Sequence, residues 1–138
     1  MKEDTMSTDR KKLALAYLEA VATQQYDKVE GFLAPDLRFR GPAMTRTSAG
    51  EFLAALKRLA AIHVRNDVKR VFVDGDHVCV IYDFVTDTSA GALPAVEWLQ
   101  FAGDRISSID LYYDRLPWQA VMAAIAERGM RSDAHPVV

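Results

Sequence analysis

Two periodicities divide the chain. Up to about Ala61 apolar residues recur at three-and-four spacing, and from Val64 to Leu116 they alternate with polar residues at a period of two. Thr8 or Asp9 is placed to cap a first helix whose inner stripe is Leu13, Ala16, Tyr17, Ala20 and Val21. A short second helix is expected from Asp27 to Leu33, ended by Ala34-Pro35-Asp36, because the residue before a proline is pushed out of the helical region. Leu37 to Arg40 alternates as a short strand and Gly41-Pro42 breaks it. Ser48 or Gly50 opens a third helix carrying Phe52, Leu53, Leu56, Leu59 and Ala60 inward, ending near Ala61.

The period-two region is cut by Asp74-Gly75, Ser89-Ala90-Gly91 and Gly103-Asp104, which are turn chemistries. Four strands in a meander follow: Val64 to Val73, His77 to Thr86, Leu93 to Ala102 and Arg105 to Asp114. Pro117 then begins a last helix, Trp118 to Glu127, stopped by Gly129. Residues 1–7 and 130–138 read as tails around a single domain spanning residues 1–138.

Composition narrows the class. The length fits one domain able to bury a core unaided, and half the residues are hydrophobic, which rules out a long disordered tract. Seventeen basic and nineteen acidic residues give a formal charge of −2 with scattered basic positions, so nucleic acid is not an expected partner. The lone Cys79, inside Val78-Cys79-Val80-Ile81, excludes an internal disulfide and reads as a buried thiol. No stretch approaches the ~20 apolar residues of a membrane span and the start of the chain is polar, so no membrane contact and a cytoplasmic location are expected. His63, His77 and His135 are too dispersed to suggest a metal site.

The order of elements resembles the nuclear transport factor 2-like superfamily, which includes ketosteroid isomerase, limonene epoxide hydrolase and the SnoaL-like polyketide cyclases. The resemblance rests on Ala16-Tyr17-Leu18-Glu19 leading to Phe32-Leu33-Ala34-Pro35-Asp36, on Gly50-Glu51-Phe52, and on Phe101-Ala102-Gly103-Asp104-Arg105-Ile106 leading to Leu111-Tyr112-Tyr113-Asp114. It covers about Leu13 to Trp118 and is nearest the SnoaL-like proteins. It implies an α+β fold in which three N-terminal helices pack on a strongly curved antiparallel sheet, forming a cone with an internal pocket. It also implies a homodimer through the outer sheet face.

Residue chemistry gives three candidate catalytic groups: Asp83, Glu97 and Tyr17. Period two places Asp83 with Cys79, Ile81 and Val85 on one strand face and Glu97 with Ala95, Leu99 and Phe101 on the next strand. A carboxylate in apolar company needs a partner or a raised pKa, and two such groups on adjacent strands can share a proton for acid or base work. By the resemblance, Tyr17 stands where the isomerase keeps its oxyanion-binding tyrosine and Glu97 where it keeps its protonated acid. That acid is a known example of a carboxyl kept neutral at neutral pH. The isomerase's base aspartate falls at Gly41, and the hydrolase's Asp-Arg-Asp set reads Asp83, Ile81 and Leu111, so both sets are incomplete.

Phe39, Met44, Leu53, Ile81, Leu99, Leu111 and Tyr113 are expected to line the pocket, with His63 at its mouth as a proton shuttle. Val80, Tyr82, Phe84, Val96, Trp98 and Tyr112 are expected on the outer face, more apolar surface than a monomer leaves wet, which suggests the dimer. Two functions compete. One is an enzyme needing no cofactor, which isomerises, cyclises, dehydrates or hydrolyses a small apolar carbonyl or epoxide compound. The other is a binding or regulatory module with the same pocket. A weaker third is a structural partner whose pocket is filled.

Overall fold

A computed structural model describes the backbone of residues 2–132 and the side chains of residues 9–129; His135 lies outside them. Four helices and six strands follow in the order α1 Lys2–Ala22, α2 Tyr26–Phe32, β1 Leu33–Arg40, β2 Thr45–Arg46, α3 Ala49–Leu59, β3 His63–Asp74, β4 His77–Thr86, β5 Ala92–Ala102, β6 Arg105–Tyr113 and α4 Trp118–Ser132.

The first helix starts well before the expected cap at Thr8 or Asp9, taking in most of the expected tail, because no Gly or Pro precedes Asp9 to stop it. The last helix runs through Gly129. Glycine ends a helix where it turns left-handed, and the positive-φ glycines are Gly75, Gly91 and Gly103, each in a turn between strands. The third helix begins as expected, with the Ser48 hydroxyl accepting from the Glu51 N–H at 3.2 Å.

The strands form one open sheet in the order β2-β1-β6-β5-β4-β3. The four long strands are the expected antiparallel meander. β1 instead pairs parallel with β6 and is longer than expected, since Pro35 holds Ala34 extended and Leu33 is already buried as strand. Register shifts within β3, between Gln100 and Phe101 in β5, and between Leu33 and Arg38 in β1 mark irregularities of the kind that bend strands and let a sheet curl around helices.

Cross-strand register decides which face of β4 is inward. Val80 lies opposite Glu97 and Tyr82 opposite Ala95, and directly opposed residues share a face. Val78, Val80, Tyr82 and Phe84 are therefore on the concave side with Leu93, Glu97, Leu99 and Phe101, all buried. Cys79, Ile81, Asp83 and Val85 lie on the convex side, where Cys79 is partly exposed. This reverses the expectation for Asp83 and Ile81, and for Val80, Tyr82 and Phe84. Both sets on β4 are apolar enough to be buried, so its own pattern carries no sign, whereas Glu97 is fixed by its neighbours Leu93, Leu99 and Phe101.

Candidate functional site

Between the concave sheet face, α1, α3 and the start of α4 lies a cavity of about 500 Å³, within the usual range for small-molecule sites. Its deep wall carries three oxygen-bearing side chains. Tyr17 projects from α1, and Tyr82 and Glu97 project from β4 and β5. The Tyr82 hydroxyl donates to Glu97 Oε2 at 2.7 Å and the Tyr17 hydroxyl to Glu97 Oε1 at 3.4 Å. All three are buried, and no Lys or Arg among the described residues pairs with Glu97.

Burial pushes the Glu97 carboxyl up from its ordinary value, and the two phenol hydrogen bonds pull it part of the way back. Burial also drives Tyr82 and Tyr17 well above a normal phenol, with the Glu97 charge adding to the effect, so both hydroxyls keep their protons. The proton count sets what the triad can do. With Glu97 ionised, two O–H groups serve two carboxylate oxygens and none is spare. With Glu97 neutral there are three O–H groups for the same two links, so one can turn to a ligand oxygen. The longer, weaker Tyr17 link is the one to release it.

Nearer the opening, His63 begins β3 just after α3 and stacks on Phe84 with ring centroids 3.9 Å apart. Its Nε2 is 2.8 Å from Asn66 Oδ1, and the Asn66 amide donates to the Leu18 carbonyl at 3.1 Å. Because that amide is committed as donor, Nε2 is the protonated nitrogen and the neutral ring has Nδ1 as acceptor. Burial lowers the His63 pKa against the opposing hydrogen bonds to Asn66 and the Arg65 backbone, which favours this neutral form.

The cavity thus brings together Tyr17, Glu97, His63, Phe39, Met44, Leu111 and Tyr113 from the residues singled out in the sequence. Leu53 and Leu99 are packed into the core instead, Leu99 fully, and Ile81 is on the convex face. Asp83 is also outside the cavity, ion-paired to Lys69 at 3.1 Å. Position 41 supplies no acid either, since a Cβ on Gly41 would meet the Phe39 ring at 3.2 Å.

Sequence reasoning missed Tyr82, Asn66, Arg58 and Trp118, all in the lining. The register that brings Tyr82 beside Glu97 is set across one hairpin by the Ser89-Ala90-Gly91 turn, and the strand pattern alone does not give its loop length. Among the described residues no group of His, Cys, Asp and Glu is arranged to hold a metal, and no helix is long and apolar enough to cross a membrane.

Comparison with known proteins bears on the scaffold. A protein of unknown function from Cytophaga hutchinsonii with a nuclear transport factor 2-like fold superposes with a TM-score of 0.71 at 21% identity, over 80% of this chain and 94% of that one. A Kribbella flavida protein gives 0.72 at 29% identity over 81% and 93%. A Shewanella putrefaciens protein described as a SnoaL-like polyketide cyclase gives 0.65 at 19% identity over 86% of each chain. These likenesses establish the fold, and no curated protein matches the sequence. The SnoaL-like domain model matches residues 14–109, from the first helix to the last strand of the cavity wall, and the chain belongs to that family.

Proposed function

We propose that the protein is a cofactor-independent enzyme that moves a proton beside the carbonyl of a small, largely apolar compound. The observation that carries this is the buried Tyr17–Glu97–Tyr82 set in the wall of an otherwise apolar cavity. Donors held in a dry site and aimed at a developing oxyanion are the strongest way to stabilise an enolate. Tyr17 donates to the carbonyl oxygen while neutral Glu97 and Tyr82 hold it in place. The base is His63, whose ring stacks on Phe84, the next inward residue after Tyr82 on β4 and roughly 7 Å along the strand. It takes the proton from the carbon next to the carbonyl and returns it to the same or a conjugated carbon.

The test is proton exchange of apolar ketones in D₂O followed by NMR. Wild type accelerates exchange next to the carbonyl, and Tyr17→Phe loses about 10²-fold or more of that rate; a wild type no faster than buffer overturns the proposal. A non-catalytic ligand-binding module is the second reading, favoured by the position of Asp83, which leaves Glu97 as the single carboxylate of the lining among the described residues. Ligand binding without exchange is its signature.

The convex face suggests a homodimer. Phe72, Trp98 and Tyr112 are exposed there, Phe72 by 59%, and such a patch is costly to leave wet. Trp98→Glu dissociates the dimer in sedimentation, and an unchanged sedimentation coefficient counts against that surface.

A further inference from the structure

The outer end of the cavity, beside His63, holds two guanidiniums that the proton-transfer chemistry does not use. Arg58, in the last turn of α3, and Arg115, between β6 and α4, both line it. Neither takes part in an ion pair among the described residues. Arg58 Nε is buried without a hydrogen-bond partner, and so is the indole Nε1 of Trp118. Those two atoms are sealed by packing, so the groups open to a ligand here are the guanidinium ends of part-buried Arg58 and exposed Arg115, and among the described residues the one acid of the lining is Glu97.

Topology places these groups at one end of the cavity. His63 pairs with Thr86 at the last position of β4, and Arg115 lies two residues past Tyr113, the end of β6, which pairs with Ala95. The chain from Arg58 reaches His63 through Ala60 and Ile62, at the same edge. Trp118 packs there on Tyr113 and Phe84, with ring centroids 4.9 and 5.5 Å apart. The Glu97 triad lies deeper by the step from Leu93 to Glu97, roughly 13 Å of strand. The rest of the wall is largely apolar, including Phe39, Phe52, Leu56 and Leu111.

We infer that the ligand is an elongated organic acid: its carboxylate is received by the guanidiniums of Arg58 and Arg115 at the α4 end, and its apolar body reaches inward to the Tyr17–Glu97–Tyr82 set. The inference deepens the proposed function by naming the substrate class, a keto acid with its carbonyl far from the carboxylate, and rests on that reading for the inner carbonyl alone. An anion pairs with both guanidiniums, each able to grip a carboxylate by two parallel bonds. A neutral ligand forgoes those charge-assisted bonds, and an amine would meet two like charges.

Isothermal titration calorimetry at neutral pH with decanoate, decanamide and decylamine separates these cases, since the three share one hydrocarbon body. Decanoate binds about tenfold tighter than decanamide, the margin of one charge-assisted interaction, and decylamine binds weakest. In Arg58→Gln/Arg115→Gln the decanoate advantage disappears while decanamide binding stays. Equal or tighter binding of the amide or amine, or no binding by any of the three, overturns the inference. So does a preference that survives in the double variant. Tyr17→Phe keeps the carboxylate preference, and a wild type that shows this preference yet exchanges ketones no faster than buffer sinks the catalytic proposal alone.

Discussion

Asp83 and Glu97 are carboxylates on adjacent strands of one sheet, yet they inhabit different chemistry. Glu97 faces the concave side, is buried, and is held by two phenols with no cation. Asp83 faces the convex side, is partly exposed, and pairs with Lys69, itself half-exposed. A shift of one residue along β4 separates the two situations. Residue type and strand position do not make an acid functional; the side of the sheet does, because it sets whether water or hydrocarbon surrounds the charge.

The largest expected difference is in stability. Glu97→Ala leaves two buried phenol donors without their acceptor and costs about 3 kcal/mol in urea unfolding. Asp83→Ala costs under about 1 kcal/mol, the usual worth of a solvent-screened pair. Equal losses at the two sites would erase the distinction.

The two phenols should differ as well. Tyr82→Phe costs about 1 kcal/mol through its 2.7 Å bond, and Tyr17→Phe a smaller amount through its 3.4 Å bond, measured by the same unfolding. The reverse order would mean that Tyr17 is not the donor released to a ligand.

The pH dependence sharpens the contrast further. Folded Glu97 keeps its proton above the ordinary 4.5, so from there up to its raised value the native state binds more protons than the unfolded chain. Its stabilising contribution is complete below 4.5 and is lost as pH rises through the raised value. His63 runs the other way: its folded pKa is below 6.5, so stability falls as pH drops beneath 6.5. Glu97→Gln removes the first slope and leaves the second, as urea midpoints across pH will show. A Glu97→Gln profile parallel to wild type would place the raised carboxyl elsewhere.

The smallest expected effect is catalytic. Asp83→Asn leaves ketone exchange within about twofold of wild type, because the group touches no part of the cavity and surface charges act weakly through screened solvent. A large loss would return Asp83 to the mechanism.

Much of the scaffold was legible. The hairpin limits of β4 follow from Asp74-Gly75 and the strand's alternation, and α3 from Ser48 and its inner stripe, since turn and cap chemistry act within a few residues. Within the site, Tyr17 and Glu97 were visible as polar groups in apolar stripes. Tyr82 was not, because an alternating strand with two apolar faces offers no internal cue to its inner side. Arg58 and Arg115 lie in the turn-ending and loop positions where arginine is ordinarily solvated; their place in the cavity appears only when α3, β6 and α4 are brought to one edge.

By itself, then, the sequence determined the long elements of the core, the family and two of the three members of the buried triad, mostly through patterns that act over one helix turn or one strand step. Tertiary structure decided the sign of the β4 face, the removal of Asp83 from the cavity, the parallel seating of β1 on β6, and the meeting of Tyr17 and Tyr82 on Glu97. Those depend on register and packing between segments far apart in the chain, and a period-two pattern is unchanged when its two faces are exchanged.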